Sequence, residues 1–175
     1  MANTQSMCTS FLGELMLGQH QLGTATLTSR SSLTSPTTDT VKALLVLASA
    51  TVNASQTNVG TPGTGTPTTS NIGTAEVSGT NYTAGGVTVT NGTGPLSSNS
   101  SSTAGVGYWT PSAAITYTNV TLTTAFDTAV LYNSTQGGKT ISVHTFGSQT
   151  ITAGTFSLTM PSNTTSTALI RLATT

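Results

Sequence analysis

Residues 133–140 read N-S-T-Q-G-G-K-T, one position away from the phosphate-cradling pattern G-x-x-x-x-G-K-[ST]. In that loop backbone N–H groups and the lysine surround the phosphates of a nucleotide. Lys139 would be the phosphate lysine, and Asn133 stands where the first glycine belongs. The chemistry requires a helix directly after the lysine, whose N-terminus faces the phosphates. It also requires a strand ending in aspartate to hold magnesium. Neither follows here. Ile141 and Val143 alternate with Ser142 and His144, which is a strand period, and no apolar strand ending in aspartate lies downstream. A β-hairpin uses every residue of the segment. Asn133 and Ser134 suit a turn, Gly137 and Gly138 supply positive φ, and Lys139 serves as a solubilising charge at a strand start.

The other reactive side chains are equally dispersed. Ser, His and Asp all occur, but G-x-S-x-G is absent, and in a serine-rich chain their co-occurrence carries no information. Cys8, His20 and His144 lack the paired spacing of a zinc site, so the histidines read as a helix-end and a strand residue. The carboxylates Glu14, Asp39, Glu76 and Asp127 could supply a glycosidase pair, yet no spacing unites two of them. Glu76, beside S-G-T-N-Y-T-A-G-G, lacks the clustered acids of a calcium loop. Trp109 with Tyr108, next to Pro111, offers either an aromatic recognition surface or a core anchor, the anchor being the commoner use. No catalytic, cofactor-binding or metal-ligating residue is assigned, and the chain reads as a non-enzyme.

The elements that would position these residues are mostly strands. Residues 9–20 carry the one helical pattern, with Phe11, Leu12, Leu15, Met16 and Gln19 in register, Thr9 or Ser10 as N-cap and Glu14 in the first turn. Strand patterns follow at 24–29 and 41–49, the second nearly continuous in apolar residues and therefore central. Residues 53–73 and 91–107 read as polar loops. Between them, 74–90 gives a short strand, a Gly-rich turn and an alternating strand through Val87 and Val89. In 114–122 the apolar phase slips from Ile115 and Tyr117 to Val120 and Leu122, which predicts a β-bulge or a strand crossing between sheets. Further strands are expected at 128–133, 140–146, 155–160 and 167–173. In the third of these, Phe156, Leu158 and Met160 alternate with Thr155, Ser157 and Thr159, giving one buried and one threonine face. About nine short strands predict a mainly β chain, an antiparallel β-sandwich or jelly-roll-like domain with one short N-terminal helix. The 175 residues form one domain, with 1–23 as an N-terminal arm and helix.

Composition sets the function classes. Charged residues make up 5% of the chain, against about 25% in an ordinary globular protein. They are Glu14, Arg30, Asp39, Lys42, Glu76, Asp127, Lys139 and Arg171, giving zero net charge. Basic residues so few and scattered cannot neutralise many phosphates, which excludes a nucleic-acid partner and an anionic membrane surface. The longest strictly apolar run, 43–48, is too short to span a bilayer. No secretory signal pattern is seen, and a lone Cys8 fits synthesis in a reducing compartment. Seven N-x-[ST] sequons, at Asn53, Asn81, Asn91, Asn99, Asn119, Asn133 and Asn163, follow from the Ser and Thr content and are not read as glycosylation sites.

Several segments together resemble a family of small structural proteins of tailed bacteriophages, including those of cyanobacteria. They are 10–24 (SFLGELMLGQHQLGT), 40–52, 75–91 (AEVSGTNYTAGGVTVTN), 119–147 and 152–163. The shared patterns are S-F-x-x-x-L-x-x-G-x-H in the helix, D-T-x-K-x-x-L, E-x-x-G-x-x-Y-x-A-G-G and a late A-V-L-Y-N strand. The resemblance implies a virion component, made in the cytoplasm of a bacterial host. Low charge argues against a DNA-facing position, and fibre-type repeats or heptads are absent from the sequence. The resulting expectation is a capsid decoration or cement protein on the outer head surface, a dimer or trimer bridging major capsid protein subunits. A tail or receptor-binding component that adheres to host glycans through Tyr108 and Trp109 is the alternative, and a glycan hydrolase the third reading.

Overall fold

The protein is described here by a computed structural model that covers residues 2–23, 38–92, 94–98 and 105–174. Among them run β1 (Ser6–Met7), α1 (Thr9–Met16), β2 (Val41–Leu47), β3 (Val87–Thr88), β4 (Leu96–Ser98), β5 (Val106–Trp109), β6 (Ile115–Asn133), β7 (Lys139–Leu158) and β8 (Ile170–Ala173). One sheet has the order β1-β7-β6-β2-β3 and the other β4-β5-β8, all pairs antiparallel. Trp109 and Ile170 of the smaller sheet share one core with Leu44, Leu122 and Val130 of the larger. The architecture is an antiparallel β-sandwich, and among the described residues its one α-helix is short and lies near the N-terminus, as the sequence patterns predict. β2 is an interior strand, and Val41, Ala43, Leu44, Leu45 and Val46 are fully buried on its two faces.

The strands are fewer and longer than their sequence patterns suggest. Segments 114–122 and 128–133 fuse into β6, and 140–146 and 155–160 into β7, giving paired strands of 19 and 20 residues. No turn separates the halves because the phase slip is absorbed inside the ladder. The β6–β7 register shifts between Tyr117 and Val120 and again before Leu122. Asn119 takes φ 52°, a conformation that asparagine tolerates better than most residues, and Ala153 takes φ 45° on the facing strand. Asn81 Nδ2 supports the bulge by donating to the Asn119 carbonyl at 2.8 Å. The extra residues keep Ile115, Tyr117, Val120 and Leu122 all buried on one face despite the slip.

Four local expectations need correction. The helix ends at Met16, its N-cap is Cys8 without a side-chain cap bond, and its first turn contains no acid. Of its apolar residues only Phe11 is buried, while Leu12, Met16 and the following Leu17 are exposed. Residues 91–107 are not simply loop, since they contain β4 and the first half of β5; the Ser- and Gly-rich stretch between Leu96 and Val106 gives these short strands no apolar alternation to mark them. The strand expected early in 74–90 is a 3-10 turn at Gly73–Ala75 followed by one bridge between Val46 and Glu76. Phe156, Leu158 and Met160 alternate as predicted but are only half-buried. Residues 53–73 are without strands, yet Val59 and Ile72 enter the core and Ile72 N–H donates to the Val59 carbonyl at 3.0 Å. The strand pattern at 24–29 lies outside the described residues.

Candidate functional site

Seven of the eight charged residues lie among the described residues, and most are gathered in two buried polar clusters. The first joins the helix to the segment 133–139. Glu14, on the second turn of α1, accepts a hydrogen bond from Lys139 Nζ at 2.9 Å on one oxygen. Its other oxygen lies 2.8 Å from His20 Nε2. His20 is fully enclosed, its ring edge-on to Phe11 at 4.9 Å between centroids. On its far side, Asn133 Nδ2 lies 3.1 Å from His20 Nδ1 and 2.6 Å from Asp39 Oδ2. An amide NH2 group donates to both, so Nδ1 is the acceptor and Nε2 carries the proton given to Glu14. Asp39 also accepts from the Gln21 backbone N–H at 2.7 Å and from Gln136 Nε2 at 3.3 Å.

The hairpin geometry accounts for the near-nucleotide motif. Gly137 and Gly138 take φ of 68° and 85°, and Gly138 N–H returns to the Asn133 carbonyl at 3.0 Å. Asn133 is completely buried and bonded through both ends of its amide, with Oδ1 accepting from Gln136 N–H. A glycine there would leave Asp39 and His20 short of a donor. The strand that follows Lys139 offers no helix N-terminus. Lys139 is not the free solubilising charge expected, because Glu14 neutralises it. Burial by itself would raise the Glu14 carboxyl, but the hydrogen bonds from Lys139 and His20 outweigh it and hold the group below the ordinary carboxylate range. The cluster acts as a clasp between residues more than a hundred positions apart in the chain.

The second cluster explains the pattern E-x-x-G-x-x-Y-x-A-G-G as a folding device. Glu76 is 3% exposed. One carboxyl oxygen accepts from Tyr82 Oη at 2.8 Å and from Gly85 N–H at 2.7 Å, and the other has no partner. Tyr82 in turn accepts from Leu45 N–H at 3.0 Å, tying the turn to β2. Tyr117 donates to the Ala43 carbonyl and Tyr132 to the Gly85 carbonyl, both at 2.7 Å. Gly79 and Gly86 lie so close to the Thr121 and Ala43 carbonyls that a Cβ would overlap them. Burial pushes the Glu76 carboxyl up, against the opposing pull of Tyr82, Gly85 and the nearby Lys42. Burial likewise pushes Tyr132 up to about 12.

The remaining candidates stay apart. Cys8 is buried, and burial raises its thiol, which keeps it protonated and unreactive. Ser142 Oγ lies 2.8 Å from His144 Nε2, but Ser142 is buried and no carboxylate among the described residues is bonded to the ring. Burial lowers the His144 pKa to about 4. Trp109 is a core residue at 1% exposure, so the aromatic surface is reduced to half-buried Tyr108, opposite Leu96 and Arg171. Among the described residues no three His, Cys, Asp or Glu side chains come together as metal ligands. A groove of about 560 Å³ beside the 53–73 segment is lined by neutral residues such as Asn53, Gln56, Thr68 and Asn71. Sequence reasoning missed Asp39, Gln136 and the Glu76–Tyr82 pair as partners; the one visible signal was an asparagine where the motif wants glycine. Compared with protein-family models, with curated proteins and with solved structures, the chain matches none.

Proposed function

We propose that this chain is a non-enzymatic virion structural protein, a capsid decoration or cement protein that bridges major capsid protein subunits on the outer head surface. The observation that carries the proposal is where its few charges go. Glu14 and Lys139 neutralise one another, Asp39 and Glu76 are buried, and Asp127 accepts from Asn3 and Thr128. Among the described residues the exposed surface is largely threonine and serine, with Leu12, Met16 and Leu17 as apolar exceptions around the helix end and Arg171 exposed and bonded to the Thr165 carbonyl. Such a surface contacts a neutral protein lattice without like-charge repulsion and with little sensitivity to salt. Many identical copies on a lattice allow a modest contact per copy to suffice. The resemblance of the helix, the Glu76 turn and the β6–β7 region to phage structural proteins supports the same reading.

The test is the copy number and position of the chain in purified virions, read from a cryo-EM map. A cement protein covers the head in hundreds of copies. A handful of copies at the tail would instead favour the adhesin, for which half-exposed Tyr108 is the remaining aromatic contact. Absence from the particle would end both readings.

A further inference from the structure

Residues 53–73 form a connection without strands, longer than the ~12–15 residues beyond which such segments are uncommon unless disordered or functional. This one is held in place. Thr57 N–H donates to the Thr69 carbonyl at 2.7 Å, and Asn71 is engaged at both ends of its amide, on the Thr64 carbonyl and on Gly73 N–H. Gln56 ties the segment to itself and to the larger sheet. Its Nε2 donates to the Thr68 carbonyl at 2.8 Å, and its backbone carbonyl accepts from Thr140 Oγ1 at 2.6 Å. Val52 N–H is fixed on Asn3 Oδ1 at 2.9 Å. These bonds form the groove of about 560 Å³, a size typical of small-molecule sites, without any ligand to shape it.

Two amide side chains of the lining keep one unspent group each. Gln56 is 4% exposed and gives its Nε2 protons to the Thr68 and Asn58 carbonyls, so its Oε1 has no donor among the described residues. That oxygen is not sealed in the core and opens on the groove that Gln56 lines. Asn53 Oδ1 accepts from both Ser55 N–H and Ser55 Oγ, which leaves its Nδ2 as a donor without an acceptor. Val52, Ile72 and Ala75, all buried, add an aliphatic surface, and no lining residue is charged or aromatic. We propose that this groove binds a short neutral saccharide. An ionic ligand would give up its hydration with no opposite charge to meet it. An extended peptide needs a row of free backbone groups, and 49–56 and 67–75 are turns and bends with no strand edge to offer. A saccharide carries hydroxyls that both donate and accept, to Gln56 Oε1 and from Asn53 Nδ2, and C–H faces that suit Val52 and Ile72. Without a ring to stack on, binding should be weak, with Kd about 1 mM.

The site goes beyond the virion reading and is tested on the isolated full chain, so the two can fail separately. Amide NMR spectra are followed while maltotriose, cellotriose, mannotriose or chitotriose is added to about 10 mM. At least one of the four should give saturating shifts confined to 49–56 and 67–75. Trigalacturonate, similar in size but anionic, should bind about tenfold more weakly than that sugar. Asn53→Ala should weaken the binding about fivefold and Gln56→Leu about tenfold. Should Gln56→Leu loosen the segment, the wild-type shift map and Asn53→Ala still decide. The proposal would be overturned by the absence of saturable shifts with all four sugars, or by shifts centred outside the groove. Equal binding of trigalacturonate or of the neutral peptide N-acetyl-trialanine amide, or an unchanged affinity in Asn53→Ala, would overturn it as well.

Discussion

Gly86 and Gly137 share a φ of 68° and differ in what surrounds them, which makes them a matched pair for separating backbone strain from crowding. Around Gly137 nothing lies within 4 Å of where a Cβ would sit. Gly137→Ala therefore meets only the left-handed conformation, about 1–2 kcal/mol, offset by about 0.4–1 kcal/mol from a stiffer unfolded chain. The expected net loss is about 1 kcal/mol. At Gly86 the same Cβ would lie 2.6 Å from the Ala43 carbonyl carbon and 2.7 Å from Leu44 Cα, both backbone atoms of a buried interior strand. β3 must then move off β2, with loss of the Ala43–Val87 and Lys42–Thr88 pairing and the Val89-to-Val41 hydrogen bond. Overpacking adds about 1–3 kcal/mol to that net strain, for a total of about 2–4 kcal/mol. The single tryptophan, Trp109, is buried and reports urea unfolding by fluorescence. With a slope of about 2 kcal/mol/M, the midpoint should fall by about 0.5 M for Gly137→Ala and about 1.5 M for Gly86→Ala. Equal shifts in the two variants would show that the contact with β2 is not what makes Gly86 necessary.

Other changes follow the same logic. Asn133→Gly completes the phosphate-loop pattern, yet it should cost about 2–3 kcal/mol by unpairing buried Asp39 and His20, and calorimetry with ATP and magnesium should register no binding heat. Glu76 has its pKa raised by burial, so its folded form keeps a proton that the unfolded chain gives up. Its share of stability is complete below the ordinary carboxylate range and is lost as pH rises through the raised value. Glu76→Gln should flatten that decline in a series of urea midpoints taken from acid to neutral pH, and an unchanged slope would contradict the assignment. Glu14 acts in the opposite sense: its lowered pKa gives stability that is present at neutral pH and lost on acidification. Glu14→Gln should remove that acid-side loss, read in the same titration. Ala153→Gly should raise stability slightly, by under about 1 kcal/mol, because relief of the φ 45° strain is partly cancelled by a floppier unfolded chain.

What the sequence made legible was whatever depended on near neighbours in the chain. The alternation of Ile141 and Val143 marked a strand where a nucleotide loop needs a helix, and Gly137–Gly138 marked the turn. The phase slip before Val120 announced the bulge that the positive φ of Asn119 provides. What stayed hidden depended on distant partners. Glu14 and Lys139 are 125 positions apart, and Asp39 and Asn133 are 94 apart, so no local pattern could join them. β4 and β5 escaped notice because their few residues lie within polar stretches and acquire strand structure from pairing with each other and with β8. Trp109 gave a choice between surface and core that only the second sheet could decide.

The long β6–β7 hairpin also bears on the order in which the molecule folds. Its strands are consecutive in sequence and joined by a five-residue turn, so their ladder can close from residues 134–138 outward with little loop entropy. The helix, by contrast, must wait until a chain end far away in sequence finds that same turn. Substitutions at Gly137 should therefore chiefly slow refolding, whereas breaking the Glu14 contacts should chiefly speed unfolding. The residues that most resemble a nucleotide site would then be a starting point for folding, and the clasp across them the last part to lock and the first to release.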